Sequence, residues 1–290
     1  MDRLLIINAD DFGLCEGVNR AIAEAHTKGI LTSTTLMTNM PSAEEAIKIA
    51  KSLPTLGVGI HLNLTEGRPV SNEQIVNLLT NTNGEFGFSA NQLAFKSLVS
   101  RKFRAAIRTE LAAQIQWAIE RGINPTHLDS HKHIHSFPSI YPIVCSLARQ
   151  FNINSIRFTY EPTRVFYPPW PPADKNGPKR TRLTRMMARI NRLQNPKFLK
   201  TEATYGIAHT GKIDINFFKA LVSSVSVFLQ KDAVAEVMTH PGFIEGLEKI
   251  KTRLVESRKL EFDTLCSKKV RQLLQDAGIK LIHYGQLQNS

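Results

Sequence analysis

The chain has 290 residues, of which 42% are hydrophobic and 21% are charged, and these proportions exclude a disordered or low-complexity protein. Its formal net charge of +12 leaves two anionic partner classes open, nucleic acid and an anionic membrane face. The apolar run before Asn8 is too short for a signal peptide, and no stretch approaches the roughly 18 apolar residues of a membrane span. The three cysteines form no CxxC pair, so we expect a cytoplasmic protein in a reducing compartment.

Short apolar, β-branched runs alternate with longer helical patterns along the chain. The predicted strands are Leu4–Asn8, Leu31–Thr38, Leu56–Leu62, Thr126–Asp129, Ser155–Phe158, Val234–Met238 and Lys280–Ile282. The predicted helices are Glu16–Gly29, Ala43–Leu53, Arg104–Arg121, Ser139–Phe151, Phe217–Leu229 and most of Leu254–Ala277. This alternation predicts parallel strands joined by right-handed crossovers. We expect a single α/β domain over residues 1–290, with a closed or nearly closed (β/α) barrel favoured over an open doubly wound sheet.

The segment between residues 165 and 200 interrupts the alternation, and we interpret it as an insertion on the barrel. Its first part, Phe166–Pro172, is proline-rich and cannot form a helix or a central strand. Its second part, Lys175–Lys200, has nine lysines or arginines and no acidic residue, which predicts a basic amphipathic helix. The apolar residues at helical spacing in that part are Leu183, Met186, Met187, Ile190 and Leu193.

Two interpretations of this basic helix stay open. In the first, the apolar stripe packs on the barrel and the arginines are solvated. In the second, residues 178–200 make a peripheral contact with an anionic membrane leaflet, and Trp170 lies at the interface. The second interpretation would suit a lipid-linked substrate.

Two adjacent carboxylates, Asp10 and Asp11, follow the first predicted strand. In parallel α/β folds the carboxyl ends of the strands form the face that binds ligands. One carboxylate there could simply cap the next helix. Two adjacent like charges repel, however, and a bound cation would relieve that repulsion.

Histidines follow three other predicted strands. His61 ends one strand, and His240 follows another and precedes a Pro-Gly turn. Between them lies the run His127–His135, in which positions 127, 129, 131, 133 and 135 share one face if the strand stays extended. A buried core histidine and a pH-sensitive surface strand are the structural alternatives. A cluster of four imidazoles and one carboxylate favours metal binding or proton transfer.

Together these residues predict a metal-dependent hydrolase. Asp11, His61 and His131 supply one carboxylate and two imidazoles, which leaves open positions on a divalent cation for water and substrate. Asp10 could accept the proton of that water, and His240 could protonate the leaving group.

Four further residues are expected to orient the ligands or contact the substrate. An aspartate that holds a metal-bound imidazole is a common arrangement. These residues are Asp129, His133, Arg157 and Glu236.

The ordered motifs NADDFG, TSTTLMTNMP, GIHLNLTEGRP, THLDSHKHIH and EVMTHPG resemble those of the YdjC-like carbohydrate deacetylases, over nearly the whole chain outside the insertion. The resemblance implies a distorted seven-stranded barrel of the NodB-like deacetylase type and the hydrolysis of an N-acetyl group from an amino sugar. It implies Asp10 as the base, Asp11, His61 and His131 as metal ligands, and His240 as the acid. It also implies Mg²⁺, whereas two imidazole ligands suit Zn²⁺ better.

Alternatives remain open for the substrate, the oligomeric state and the reaction class. Residues 205–211 are similar to a relative associated with hopanoid biosynthesis, which makes a lipid-linked amino sugar an alternative to a soluble oligosaccharide. A homodimer is one candidate oligomeric state. A phosphoesterase would more often need two metal ions. We expect no nucleic-acid partner, because the basic residues are concentrated in the insertion and no recognition motif is present.

Overall fold

Strand β1 (Arg3–Phe12) lies at the centre of a parallel sheet in the computed structural model, which describes residues 3–162, 176–198, 200–228, 233–250 and 252–287. Seven strands are present in these ranges. The other six are β2 (Ser33–Leu36), β3 (Gly57–Leu62), β4 (Leu128–Ser130), β5 (Ala203–Tyr205), β6 (Val234–Thr239) and β7 (Ile279–Ile282). The strands are rich in buried apolar residues because helices cover the sheet.

The sheet has the order β4–β3–β2–β1–β6–β5, and β7 pairs with the first half of β1 on the edge whose second half pairs with β2. Its two ends are linked by the irregular segment 155–160. Ile156 forms a parallel bridge with Leu128, and the Thr204 amide donates to the Tyr160 carbonyl at 2.9 Å. The nearly closed barrel is therefore confirmed.

Nine α-helices lie in the described residues: α1 (Glu16–Lys28), α2 (Ala43–Ser52), α3 (Ala90–Val99), α4 (Arg101–Glu120), α5 (Tyr141–Gln150), α6 (Gly177–Gln194), α7 (Ile215–Phe228), α8 (Glu256–Leu265) and α9 (Lys268–Asp276). Short 3₁₀ segments cover Gln74–Leu79, His131–Ser136, Pro196–Phe198, Leu247–Lys249 and Tyr284–Gln286. Within the described part of the chain, none of the helices is both long and apolar enough to cross a bilayer.

One predicted strand differs from the structure. The predicted strand Ser155–Phe158 is reduced to the single bridge at Ile156, because this segment bends to close the barrel. The sheet instead takes the short strand β5, whose three residues are too few to give a periodic signal.

The predicted basic helix forms as α6, but its apolar stripe does not pack on the barrel as the first interpretation expected. Its inner face carries small and polar side chains, including Thr184, Ala188 and Asn191, and most of its large apolar residues are exposed. Small residues allow a close approach to the segment 131–136, and the Asn191 amide donates to the Ser136 carbonyl at 2.9 Å. The proline-rich segment and Trp170 lie outside the described residues.

Candidate metal centre

A β-bulge at the end of β1 brings the two adjacent carboxylates into one pocket. Between the pairs Ala9–Thr34 and Phe12–Leu36, β1 has one residue more than β2. Asp11 takes a left-handed backbone conformation with φ of 69°, which is uncommon outside glycine. Neighbouring side chains of a regular strand point to opposite faces. Here both Asp10 and Asp11 line the same cavity, because the bulge turns both carboxylates to one side of the strand.

Asp11, His61 and His131 converge as a candidate metal site. The Oδ1 atom of Asp11 lies 3.5 Å from Nε2 of His61 and 3.2 Å from Nδ1 of His131. His61 ends β3 and His131 directly follows β4, so three strand ends supply the donors. One carboxylate oxygen and two imidazole nitrogens that face one another fit a divalent cation.

Asp129 and Thr35 hold the ring of His61. Oδ1 of Asp129 lies 2.8 Å from Nδ1 of His61, and the Thr35 hydroxyl donates to Oδ2 of Asp129 at 3.1 Å. The ring therefore turns its Nε2 towards Asp11. Burial lowers the pKa of His61, but the charges of Asp129 and Asp10 outweigh it and raise the pKa to about 9. Without a metal, this imidazole is protonated at neutral pH.

Arg157 is fully buried and binds three carboxylates. It donates to both oxygens of Asp10, at 2.8 and 2.6 Å, and it lies 2.7 Å from Asp129 and 2.6 Å from Glu236. The hydroxyl of Tyr284 donates to the second oxygen of Glu236 at 2.6 Å. Every member of this cluster is thus paired, as buried charges require.

Arg258, on α8, binds the other aspartate. Its Nη2 donates to Oδ2 of Asp11 at 2.6 Å, which leaves Oδ1 facing the two histidines. Burial raises the pKa of Asp11, but the charge of Arg258 and the hydrogen bond with His131 bring it well below its usual range. Burial likewise raises the pKa of Asp10, and the charge of Arg157 reverses that effect and holds the pKa below its ordinary value. Both carboxylates are ionised at neutral pH.

His240 follows β6 and faces Asp10 across the pocket. Its Nε2 lies 3.9 Å from Oδ2 of Asp10, and its backbone amide donates to Glu261 at 2.6 Å. Among the described residues its Nδ1 has no hydrogen-bond partner. Burial is the main cause that lowers the pKa of His240 to about 4, so the ring is neutral at neutral pH.

The histidine run does not continue β4 as one extended face, so that prediction is wrong. β4 ends at Ser130, and Lys132 and His133 take left-handed conformations with φ of 55° and 54°. This turn keeps His131 and His133 at the pocket. His127 stacks on Tyr284, at 3.8 Å between ring centroids, and His135 contacts Ser130 inside the protein.

The pocket that contains these groups has a volume of about 820 Å³. Asp10, Asp11, His61, His131 and His240 line one part of it. Its wider lining includes Phe86, Phe88, Glu66, Lys132, Arg180 and Arg253. This volume, with apolar rings beside polar and charged side chains, is typical of a site for a small-molecule ligand.

A second group of potential ligands, Asp10, His61 and Asp129, also converges. It is a poor metal site because the guanidinium of Arg157 already contacts both of its carboxylates. His61 belongs to both groups and offers Nδ1 to Asp129. Within the described residues the geometry therefore favours one metal ion, and it does not support the two-metal phosphoesterase.

Sequence reasoning placed nine candidate residues, and all nine lie in or directly behind this pocket. It missed Arg258, Glu261, Thr35 and Tyr284. Arg258 and Glu261 belong to a charged helical run, Glu256–Asp263, in which nothing distinguishes a buried residue from a solvated one. The aromatic residue after β7 carried no signal that pointed to the site. The threonine-rich β2 belongs to the motif TSTTLMTNMP, which indicated the family but not the contact of Thr35 with Asp129.

Comparison with known proteins gives concordant matches. Residues 4–276 match the family described as YdjC-like protein. A carbohydrate deacetylase of Brevibacillus brevis is 34% identical over 283 residues, which are 98% of this chain and 99% of that protein. A chitooligosaccharide deacetylase of Proteus mirabilis is 34% identical over 99% of this chain and 100% of its own length. A crystal structure of a proposed cellobiose-phosphate cleavage protein from Enterococcus faecalis superposes with a TM-score of 0.80 at 26% identity, with 99% of each chain covered.

Proposed function

This chain belongs to the YdjC-like family, and from that premise we propose that it is a metal-dependent deacetylase that removes the N-acetyl group of an amino sugar. The observation that carries the proposal is the meeting of Asp10 with the Asp11, His61 and His131 group in one pocket. An ionised base beside a three-donor metal site is what hydrolysis of an amide needs.

Asp11, His61 and His131 would hold the divalent cation. When bound, the cation supplies a water of lowered pKa and polarises the acetyl carbonyl. The donor set favours Zn²⁺ by ligand softness, while the resemblance to the family implies Mg²⁺. Arg258 keeps the second oxygen of Asp11 occupied, so we expect this carboxylate to offer the cation one oxygen only.

Asp10 is proposed as the general base. It is ionised, it lines the pocket, and Arg157 fixes both of its oxygens. It accepts a proton as the water oxygen forms its bond to the acetyl carbon. Asp129 and Glu236 balance the charge of Arg157 from the other side, so we assign them to positioning.

His240 is proposed to deliver a proton to the nitrogen as the C–N bond breaks, so that acetate and a free amine are the products. Because its ring is neutral at rest, it gains its proton during the reaction, and Asp10, 3.9 Å away, is the nearest source among the pocket carboxylates. His133, which also lines the pocket, is proposed as a substrate contact.

The test is acetate release from a panel of N-acetylated substrates, with the purified protein stripped of metal and then supplied with Mg²⁺ or Zn²⁺. The panel contains chitooligosaccharides and lipid-linked N-acetylglucosamine, which also decides between soluble and lipid-linked substrates. Asp10→Asn is the control for contaminating activity. Metal-independent release, or release that Asp10→Asn leaves unchanged, would contradict the proposal.

A further inference from the structure

The outer face of α6 presents an apolar stripe to solvent. Leu183, Met186, Ile190 and Leu193 have exposed fractions of 45%, 54%, 36% and 87%. They recur at helical spacing, so they form one continuous row. A contiguous row of large apolar side chains in water is a feature of contact surfaces, unlike single exposed residues.

Helix α3 carries a second exposed apolar cluster. Phe95, Leu98 and Val99 have exposed fractions of 66%, 67% and 65%. They lie three and four residues apart, on one face of the helix. The neighbouring Leu93 and Ser97 are buried, so α3 packs by one side and presents the other.

The same short stretch of chain, residues 136–139, contacts the C-terminal ends of both helices. The hydroxyls of Ser97 and Ser139 lie 2.7 Å apart, which joins the stretch to α3. The amide of Asn191 donates to the carbonyl of Ser136 at 2.9 Å, which joins it to α6. The two clusters thus flank one segment, and we call their seven residues the α3–α6 surface. These are Phe95, Leu98, Val99, Leu183, Met186, Ile190 and Leu193.

The charges around the α3–α6 surface are mainly positive, although the exposed Glu202 pairs with Arg192 of α6 at 3.4 Å. Residues 86–109 contain five lysines or arginines and no acidic residue, and residues 176–200 contain eight and no acidic residue. Several of these cations are exposed beside the apolar row: Lys96, Arg101, Lys102, Lys179, Arg182 and Arg189. Apolar side chains flanked mainly by cations complement an anionic interface.

We propose that the α3–α6 surface docks the protein on an anionic lipid bilayer, with its apolar residues inserted between the headgroups and its cations against the lipid phosphates. A second copy of the chain fits this surface poorly, because two such faces would bring like charges together. The bilayer satisfies both features at once, since it offers negative charge above an apolar layer.

This docking would place the pocket beside the bilayer. Arg180 of α6 and His131, Lys132 and His133 of the adjacent turn line the pocket, and that turn contacts both α3 and α6. The inference does not depend on the reaction that the pocket performs. It concerns a separate surface, and its test needs no substrate.

The test is co-sedimentation with vesicles of equimolar phosphatidylglycerol and phosphatidylcholine, against vesicles of phosphatidylcholine alone, at low and high salt. We expect binding to the anionic vesicles that falls with salt, and none to the neutral ones. Arg182→Glu with Arg189→Glu should weaken binding on the order of 30-fold or more, since each cation contributes about fivefold. Leu98→Ser with Leu193→Ser should weaken it on the order of tenfold or more.

Matched controls lie elsewhere on the surface: Lys48→Glu with Lys269→Glu for the charges, and Ile244→Ser with Leu260→Ser for the apolar residues. All variants are checked by thermal melting, and controls should bind like the parent. Absence of binding to anionic vesicles, or equal losses in the controls, would overturn the proposal. So would a parent dimer that Leu98→Ser with Leu193→Ser converts to a monomer, because a second copy would then occupy the surface.

Discussion

The two adjacent carboxylates of the pocket have different surroundings, and the difference separates their roles. On the Arg157 side, both oxygens of Asp10 are bound by one guanidinium that also binds Asp129 and Glu236. On the Arg258 side, a guanidinium takes only one oxygen of Asp11 and the other faces two imidazoles. The two residues are both aspartates and are adjacent in the chain. The two guanidinium groups are placed so that one oxygen of Asp11 stays available to a metal ion, whereas both oxygens of Asp10 are occupied.

The charge of the carboxylates that the two guanidinium groups bind points the same way. Four buried carboxylates, Asp10, Asp11, Asp129 and Glu236, face two buried guanidinium groups, so two negative charges remain when all are ionised. Without a metal, part of this excess is met by a proton on His61, whose pKa is raised to about 9 by Asp129 and Asp10 against the effect of burial. A divalent cation would balance the excess completely, which fits the donor set.

The largest effect is expected from removing the charge on the Arg258 side. Asp11→Asn should abolish metal binding and lower kcat on the order of 10⁴-fold or more, because a bound cation supplies several kcal/mol of transition-state stabilisation. Metal content by elemental analysis and kcat on the best acetylated substrate are the measurements. A variant that retains stoichiometric metal would contradict the assignment of Asp11.

The same substitution at Asp10, on the Arg157 side, should lower the catalytic rate without loss of the metal. Asp10→Asn should keep the metal and lose on the order of 10²–10⁴ in kcat, the usual contribution of a general base. Arg157 retains Asp129 and Glu236, so we expect the fold to tolerate the change. Equal metal loss in Asp10→Asn and Asp11→Asn would remove the distinction between the two sides.

Much of this centre could be predicted from the sequence because strand ends in a parallel fold share one face. Asp10, Asp11, His61 and His240 each lie at or just beyond the carboxyl end of an apolar strand, and the structure brings all four to one pocket. The run His127–His135 was misplaced, because alternation along a strand cannot reveal two left-handed residues after Ser130. A backbone turn of that kind depends on tertiary packing rather than on the local pattern.

The arginine partner of Asp11 and the packing of α6 could not be predicted for a different reason. Arg258 lies 247 residues from Asp11 in the chain, and only the closed barrel brings them together. In α6 the hydrophobic pattern pointed to burial of the apolar row. The groove that α6 meets accepts small side chains such as Thr184 and Ala188, so most of the large ones remain outside. A sequence pattern reports amphipathicity but not the shape of the opposing surface.

The pH dependence of the reaction tests which protonation state of His240 starts the catalytic cycle. Burial lowers the pKa of this imidazole to about 4, so its neutral form predominates above that pH. If the neutral form starts the cycle, kcat/KM should rise through about pH 4 and show no decline from His240 near pH 7. His240→Ala should lower kcat on the order of 10²-fold and remove that acidic limb. A decline above pH 4 that disappears in His240→Ala would mean instead that the protonated ring is the starting form.

The smallest effect is expected from Asp129, which contacts both sides by binding His61 and Arg157. Because His61 is protonated up to about pH 9 without metal, metal binding must release a proton, and affinity should rise about tenfold per pH unit from 7 to 9. Asp129→Asn has two opposing consequences. It lowers the pKa of His61, so that protons compete less with the metal for this ring at pH 7. It also releases the ring from its hydrogen bond, which lowers the metal affinity about 10–100-fold.

The two consequences of Asp129→Asn separate when affinity is measured against pH. Isothermal titration in buffers of different ionisation enthalpy counts the protons released; we expect about one for the parent at pH 7 and fewer for the variant. At pH 9 proton competition has nearly ended in both, so the remaining difference is the loss of orientation alone. Glu110→Gln neutralises a buried carboxylate outside the pocket and is the control. A flat affinity profile for the parent between pH 7 and 9 would show that His61 is already neutral, and equal affinities at pH 9 would show that Asp129 does not hold the ring for the metal.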